Sequence, residues 1–407
     1  MRDSFRKRRS ITHVGGAIET EGIPEDAKKL ANALAVQSSL EDEDAARAHV
    51  HGFHTYPARM HPDTAARFVR SFVAEGRSVL DPFCGSGTML VEALVAGRRP
   101  FGVDLNPLAV MLTKCKTRRR TPPELDALIA QAKSCARYAD DRRRARAGAR
   151  QRYSDEDVRL FEPHVLLELD SLRTRIAAVP SETQRLDLSL LLSSLLVKFS
   201  RKSSDTSKAL VARRTTPGFV AQMFVRKAED LALRMAAFGR LVPKPQPVFV
   251  EQDDATQLKT LPKVKVDAIV TSPPYAATYD YLAHHMLRLR WLELDPTPLV
   301  SGEIGSRSTY ERIDPRKAGE AWSRELTRFF RAAQAVLTPG GHLVMLIADS
   351  ALGKVAIRAD VLVAQTARAC GLFPAARASQ SRPHFHGPSR EAFRERPRFE
   401  HAILLRK

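Results

Sequence analysis

One stretch, SVLDPFCGSGTMLVEALVAGRRPFGVD at residues 78–104, constrains the fold more than any other. Residues 78–80 form a short apolar run that ends at Asp81, as a buried parallel strand does. Gly85 and Gly87 then permit a sharp turn, and a helical pattern runs to Leu94 and stops at Gly97. Residues 100–103 read as a second strand that ends at Asp104. This is a βαβ unit, and it commits the chain to a parallel sheet flanked by helices. Further strands are expected at 247–250, 266–270 and 342–347, with helices at 62–74, 318–336 and 355–369. TPGG at 338–341 reads as a turn, and 374–380 with 401–405 as a terminal hairpin. The expected fold class is therefore α/β, a doubly wound, mostly parallel Rossmann-like sheet with a terminal β-hairpin.

Residues 113–245 interrupt that pattern with helical, strongly charged sequence, far longer than an ordinary strand-to-strand connection. Residues 113–152 hold 13 basic and 4 acidic side chains, and 198–227 hold 8 and 1. The organisation read from the chain is a polar basic arm at 1–48, an α/β domain at 49–112 and 245–407, and an inserted basic helical subdomain at 113–244. With 65 Lys and Arg against 46 Asp and Glu, the net charge of +19 points to a polyanionic partner, most often nucleic acid. The insertion is the candidate surface for phosphates and target recognition. The four cysteines form no CxxC pair, which argues against a disulfide framework or zinc ribbon and for a reducing compartment. No signal-peptide pattern or long apolar run is present, so a cytoplasmic, nucleoid-associated protein without membrane contact is expected.

Two loops carry the chemistry. In DPFCGSGT the glycines allow close backbone approach to a ligand at a strand's carboxyl end, and Asp104, 19 residues past Gly85, can take both hydroxyls of a ribose. Leu90 stands where a dinucleotide fingerprint has its third glycine, and the loop has acids but no lysine. That combination disfavours a nicotinamide dinucleotide or a triphosphate. It suits a ligand with a ribose and a cationic part but no phosphate, namely S-adenosylmethionine. In Thr271-Ser272-Pro273-Pro274-Tyr275, two prolines remove N–H donors and leave carbonyls as acceptors, Ser272 adds a hydroxyl, and Tyr275 adds a flat face. Acceptors beside an aromatic plane are what a planar base with an exocyclic amine requires.

Together, DPFCGSGT and TSPPY resemble the amino-methyltransferases of DNA, which methylate cytosine N4 or adenine N6. The resemblance covers about residues 50–112 and 245–350. It implies that Asp81, Phe83, Gly85, Ser86, Gly87 and Thr88 meet the methionine part of the cofactor and that Asp104, with Asn106 beside it, holds the ribose. It also implies that Asp254, with Asp253 as rival, meets the adenine amine, and that Tyr56 and Pro57 of FHTYPARMHP close over the methionine end. Ser272, Pro273, Pro274 and Tyr275 become the catalytic loop. Serine at the head of that loop favours cytosine N4 over adenine N6. The order of the two loops is the reverse of that in many cytosine-N4 enzymes, and the insertion lies outside their usual recognition region. The partners implied are DNA and a cognate restriction nuclease, with no metal. The rival readings are an RNA base methyltransferase and a nucleic-acid-binding protein with a decayed core. His284 and His285 are expected to pack a helix against the catalytic loop, Tyr279 and Tyr281 either to line the base pocket or to pack the loop, and His384 and His386 to meet phosphate.

Overall fold

The structure is a computed structural model, and it describes residues 15–35, 46–205, 209–242, 244, 246–261, 263–383 and 387–407. His384 and His386 lie outside the described residues, as do residues 1–14 and 36–45 of the expected arm. The strands are β1 (Ile18–Gly22), β2 (Ser78–Asp81), β3 (Arg99–Asp104), β4 (Phe249–Gln252), β5 (Val266–Thr271), β6 (Leu337–Ala348), β7 (Ser350–Leu352), β8 (Val355–Ile357), β9 (Phe373–Ser381) and β10 (Phe399–Arg406). Eight of them form one sheet in the order β1-β9-β10-β6-β5-β2-β3-β4. The run from β4 to β6 is parallel, whereas β10 pairs antiparallel with both β6 and β9.

From β2 the chain winds outward through β3 to β4, then returns to β5 on the other side of β2 and winds on to β6. The direction of winding therefore switches between β2 and β5. At such a switch the loops leaving the carboxyl ends diverge and open a crevice. Those two loops are the glycine loop and TSPPY. At the opposite end, Asp267 fixes the register of the pair by accepting from Ser78 N (2.8 Å) and Ser78 Oγ (2.7 Å).

The helix Thr88–Val95 lies close on the sheet because β3 has no side chain at Gly102. A Cβ there would stand 2.6 Å from Leu90 Cδ2. The close approach that a third glycine gives in the dinucleotide fingerprint is here supplied from the strand, which is why Leu90 fits.

The insertion is built from helices Pro122–Arg144, Asp155–Leu160, Pro163–Ala177, Glu182–Phe199 and Phe219–Leu241. Helix Pro107–Thr117 runs across residue 113, so the inserted helices start later than the expected boundary. Thr121 and Glu124 form a reciprocal cap on the first of them. Their apolar core includes Leu188, Leu191, Leu195, Phe224 and Leu231 and continues into Leu94, Leu112, Leu287, Leu289 and Trp291. The insertion is thus seated on the helix Tyr281–Trp291 that follows TSPPY. Asp157 strengthens the seat by accepting from Trp291 Nε1 (2.9 Å) and Arg290 (2.8 Å).

Three expectations are corrected. The expected loose arm contains β1, paired along its length with β9, and helix Pro24–Leu34, which buries Leu30 and Leu34 in the core under the sheet. The strand expected at 342–347 already begins at Leu337, and TPGG is a turn bulged within it: Leu337 pairs with Val266 and His342 with Ala268, and Gly340 has φ 74°. The helix expected from Val355 begins only at Ala359, because Val355–Ile357 pairs with β7 in a small hairpin.

Candidate active site

The glycine loop turns through two left-handed residues, Gly85 (φ 51°) and Gly87 (φ 79°). A Cβ on Gly87 would lie 2.9 Å from Thr113, so this position is closed to any side chain by both conformation and space. Thr113 in turn donates to Gly85 O (3.1 Å). Asp104, at the tip of β3, accepts from Gly85 N and Asn106 N, both at 2.8 Å. Burial pushes its carboxyl up to about 6, against the pull of those two N–H donors. Asp81, at the tip of β2, accepts from Phe83 N (3.1 Å) and Thr271 Oγ1 (2.6 Å), and burial pushes it up to about 7. One carboxyl thus ties the glycine loop to the strand that carries TSPPY.

Tyr56 closes the other side. Its hydroxyl accepts from Asn106 Nδ2 (3.2 Å), and its ring stacks on His285 with centroids 4.6 Å apart. His285 is fully buried, and burial pushes its imidazole down to about 3, so it is a neutral packing surface. Helix Tyr281–Trp291 is thus packed against the segment that carries Tyr56.

A cavity opens between these groups. Tyr56, Phe83, Gly85, Asp104, Asn106, Asp254, Ser272 and Pro274 line it together. Pro57, Asp81, Ser86, Gly87, Thr88, Pro273 and Tyr275 are not among its lining residues. Ser272 Oγ and Tyr275 OH stand 3.5 Å apart, too far for a strong mutual hydrogen bond. Of the two rival acids, Asp254 faces the cavity, while Asp253 Oδ2 is taken by Thr260 N and Oγ1, each at 2.7 Å.

The cavity also recruits residues with no signal in the sequence: Leu105, Ala255, Leu299, Glu303 and Ile304. Of the two tyrosines weighed for the base pocket, Tyr281 lines it. Glu303 accepts from Tyr281 N at 2.6 Å, and burial pushes its carboxyl up to about 7. Gly302 brings this segment against Leu105, whose Cδ1 would stand 2.9 Å from a Cβ at residue 302.

Residues 23–114 match the family model for DNA methylase. This stretch, less than a quarter of the chain, is similar to DNA methylases. The chain is 42% identical over 82 residues to Type II methyltransferase M.MvaI of Kocuria varians, covering 19% of this chain and 18% of that protein. It is 31% identical over 81 residues to Type II methyltransferase M.MjaII of Methanocaldococcus jannaschii, covering 20% and 15%. It is also 42% identical over 78 residues to a tRNA (guanine(10)-N2)-dimethyltransferase of Methanothermobacter thermautotrophicus, covering 19% and 23%. The matches thus span less than a quarter of each relative's length.

S-adenosylmethionine is the cofactor of this family, and the glycine loop suits it. Ser86 Oγ and Thr88 Oγ1 are buried without hydrogen-bond partners, beside a turn in which Gly87 admits no side chain. Two hydroxyls so placed can serve a polar ligand group. Metal donors are also clustered elsewhere. Ligand atoms of His49, His51 and Glu92 lie within 4.8 Å of one another, as do those of Asp349, Asp360 and His401. The surroundings oppose a divalent ion in both places. Buried Lys116 acts electrostatically on His51 in the first, and Arg358, Arg377 and Arg396 occupy the two aspartates of the second. No described helix is long and apolar enough to cross a membrane.

Proposed function

We propose that this chain transfers a methyl group from S-adenosylmethionine to an exocyclic amine of a base in DNA, with cytosine N4 favoured over adenine N6. The observation that carries the reading is the single cavity shared by Ser272 and Pro274 with Gly85, Asp104 and Asn106. An amine acceptor site and a cofactor site opening into one space can bring nucleophile and methyl together.

When bound, S-adenosylmethionine supplies an electrophilic methyl on a sulfonium. The chain's own residues do the rest. Ser272 Oγ accepts an N–H bond from the base amine, which favours a pyramidal nitrogen and frees a lone pair otherwise delocalised into the ring. With S-adenosylmethionine held by Gly85, Asp104 and Asn106, its methyl group would pass to that lone pair, and the surplus proton would leave to water. Ser272 is no base near neutral pH, so its part is positioning and electrostatics. The Tyr275 ring, beside Ser272 though outside the cavity lining, is the face assigned to stack on a base turned out of the helix.

Phosphate contacts fall to the basic insertion. Arg142 is occupied, donating to Ser171 Oγ (3.1 Å), whereas Arg144 and Arg150 are exposed and suited to a polyanion. Arg144→Glu with Arg150→Glu should weaken binding to every DNA sequence and flatten its salt dependence by up to about two phosphate contacts. An unaltered slope would leave the insertion as a solvated face.

A second reading, methylation of an amine in RNA, is favoured by the likeness to the tRNA methyltransferase. Transfer of labelled methyl to duplex DNA and to total tRNA, side by side, separates the two. Both readings are favoured over a decayed core by the intact acids and the cavity between the loops.

A further inference from the structure

The connection between helices Glu182–Phe199 and Phe219–Leu241 differs from the rest of the insertion. Residues 200–218 carry five basic side chains and one acid, Asp205. That acid is spoken for: it pairs with Arg288 of helix Tyr281–Trp291 and accepts from Thr55 Oγ1 at 3.3 Å. Arg288 also donates to Thr55 Oγ1 (3.0 Å). The connection is therefore fastened both to the helix that follows the catalytic loop and to the residue before Tyr56, at the side of the cavity.

Its two described arms are held to each other. Lys202 and Leu210 form an antiparallel bridge, Val211 N donates to Arg201 O at 2.7 Å, and Arg213 donates to the carbonyls of Lys198 and Lys202. His284, lowered mainly by burial, also feels Lys202, which places this hairpin beside the start of helix Tyr281–Trp291. With its one acid engaged inward, the hairpin leaves Arg214 exposed and Arg201, Lys202 and Arg213 half-buried. Among those cations stand two adjacent apolar side chains, Leu210 at 59% and Val211 at 39% exposure.

An isolated exposed leucine is ordinary. A pair of apolar side chains on a braced cationic hairpin beside the cavity is not. Phosphates match the surrounding charge, and the bases between them are the apolar surface that such a pair can enter. A base drawn into the cavity leaves a gap in the duplex, and an apolar side chain can fill it. We propose that Leu210 and Val211 form a wedge that enters the base stack of duplex DNA and holds open the place vacated by the target base. This rests on the DNA methyltransferase reading and adds to it the element that extracts the base.

A base already unstacked needs no wedge, which supplies the test. Plasmid DNA is offered as linear duplex and after heat denaturation, with methyl-labelled S-adenosylmethionine. Leu210→Ser with Val211→Ser should lower transfer to the duplex at least tenfold, while transfer to denatured DNA and cofactor affinity stay within about twofold of the parent. Leu210→Met, which keeps the apolar bulk, should retain the duplex rate. A duplex rate unchanged in the double variant overturns the wedge, and so does an equal loss on both forms of DNA. If the parent labels only the duplex, Leu210→Met decides: a loss equal to that of the double variant overturns the wedge, and retention supports it. If the parent labels neither form, the DNA reading itself falls, and the wedge falls with it.

Discussion

Replacing Asp104 with alanine is expected to weaken S-adenosylmethionine binding by roughly 30- to 100-fold. Its carboxylate is the one group at the tip of β3 able to accept from ribose hydroxyls, and such charge-assisted bonds contribute about 2–3 kcal/mol. The variant also strands Gly85 N and Asn106 N, which now donate to it at 2.8 Å. Asp104→Asn separates the two effects, because an amide keeps one acceptor and loses the charge. The pH dependence has a definite sign. Burial raises the carboxyl to about 6, and the ionised form is the better acceptor. Affinity in the parent should therefore rise as pH climbs through about 6, continue to rise through about 7 as Asp81 ionises, and level off above that. The alanine variant should show a smaller rise, owed to Asp81 near 7. Titration calorimetry between pH 5 and 8 measures both. Alanine affinity within twofold of the parent would remove Asp104 from the cofactor site.

The second large effect concerns turnover. Ser272→Ala should reduce methyl transfer by roughly ten- to a hundredfold while cofactor affinity stays within about twofold. The hydroxyl makes its most valuable contact as the amine rehybridises, and a bond strengthened only then appears in the rate and not in ground-state binding. At 3.5 Å, its present contact with the Tyr275 hydroxyl is weak enough to be exchanged for a substrate N–H without loss. A variant that kept full turnover would shift the acceptor role to the proline carbonyls alone. One that lost cofactor affinity in step with rate would make Ser272 a cofactor residue.

The parts of this site that can be read from sequence are those fixed by short-range constraints. Gly85 and Gly87 announce a left-handed turn, and Asp81 and Asp104 mark the ends of strands whose neighbours are apolar throughout. The double proline of TSPPY limits its own backbone. The winding order then follows from strand spacing, and it brings the two loops together at the β2–β5 boundary. Glu303, Leu299 and Ile304 carry no such mark, because they reach the cavity through contacts distant in sequence, among them Gly302 against Leu105 and Glu303 on Tyr281 N. β1 was missed for a different reason. IETEG is an edge strand with one half-buried residue and four exposed ones, so its place comes from pairing with β9 rather than from apolar alternation. The hairpin at Val355 hid in the same way, since its three residues fit a helix start as well as a strand. Charge counts alone could not sort the arginines of the insertion: Arg142 serves the fold by donating to Ser171, and Arg144 remains exposed.

The most direct measurement is mass spectrometry of nucleosides from duplex DNA incubated with the protein and S-adenosylmethionine bearing a heavy methyl group. The expected product is labelled N4-methylcytosine. Label in N6-methyladenine instead would keep the amine chemistry and overturn the cytosine assignment. Label in neither nucleoside, with tRNA labelled in a parallel reaction, would contradict the DNA methyltransferase reading outright.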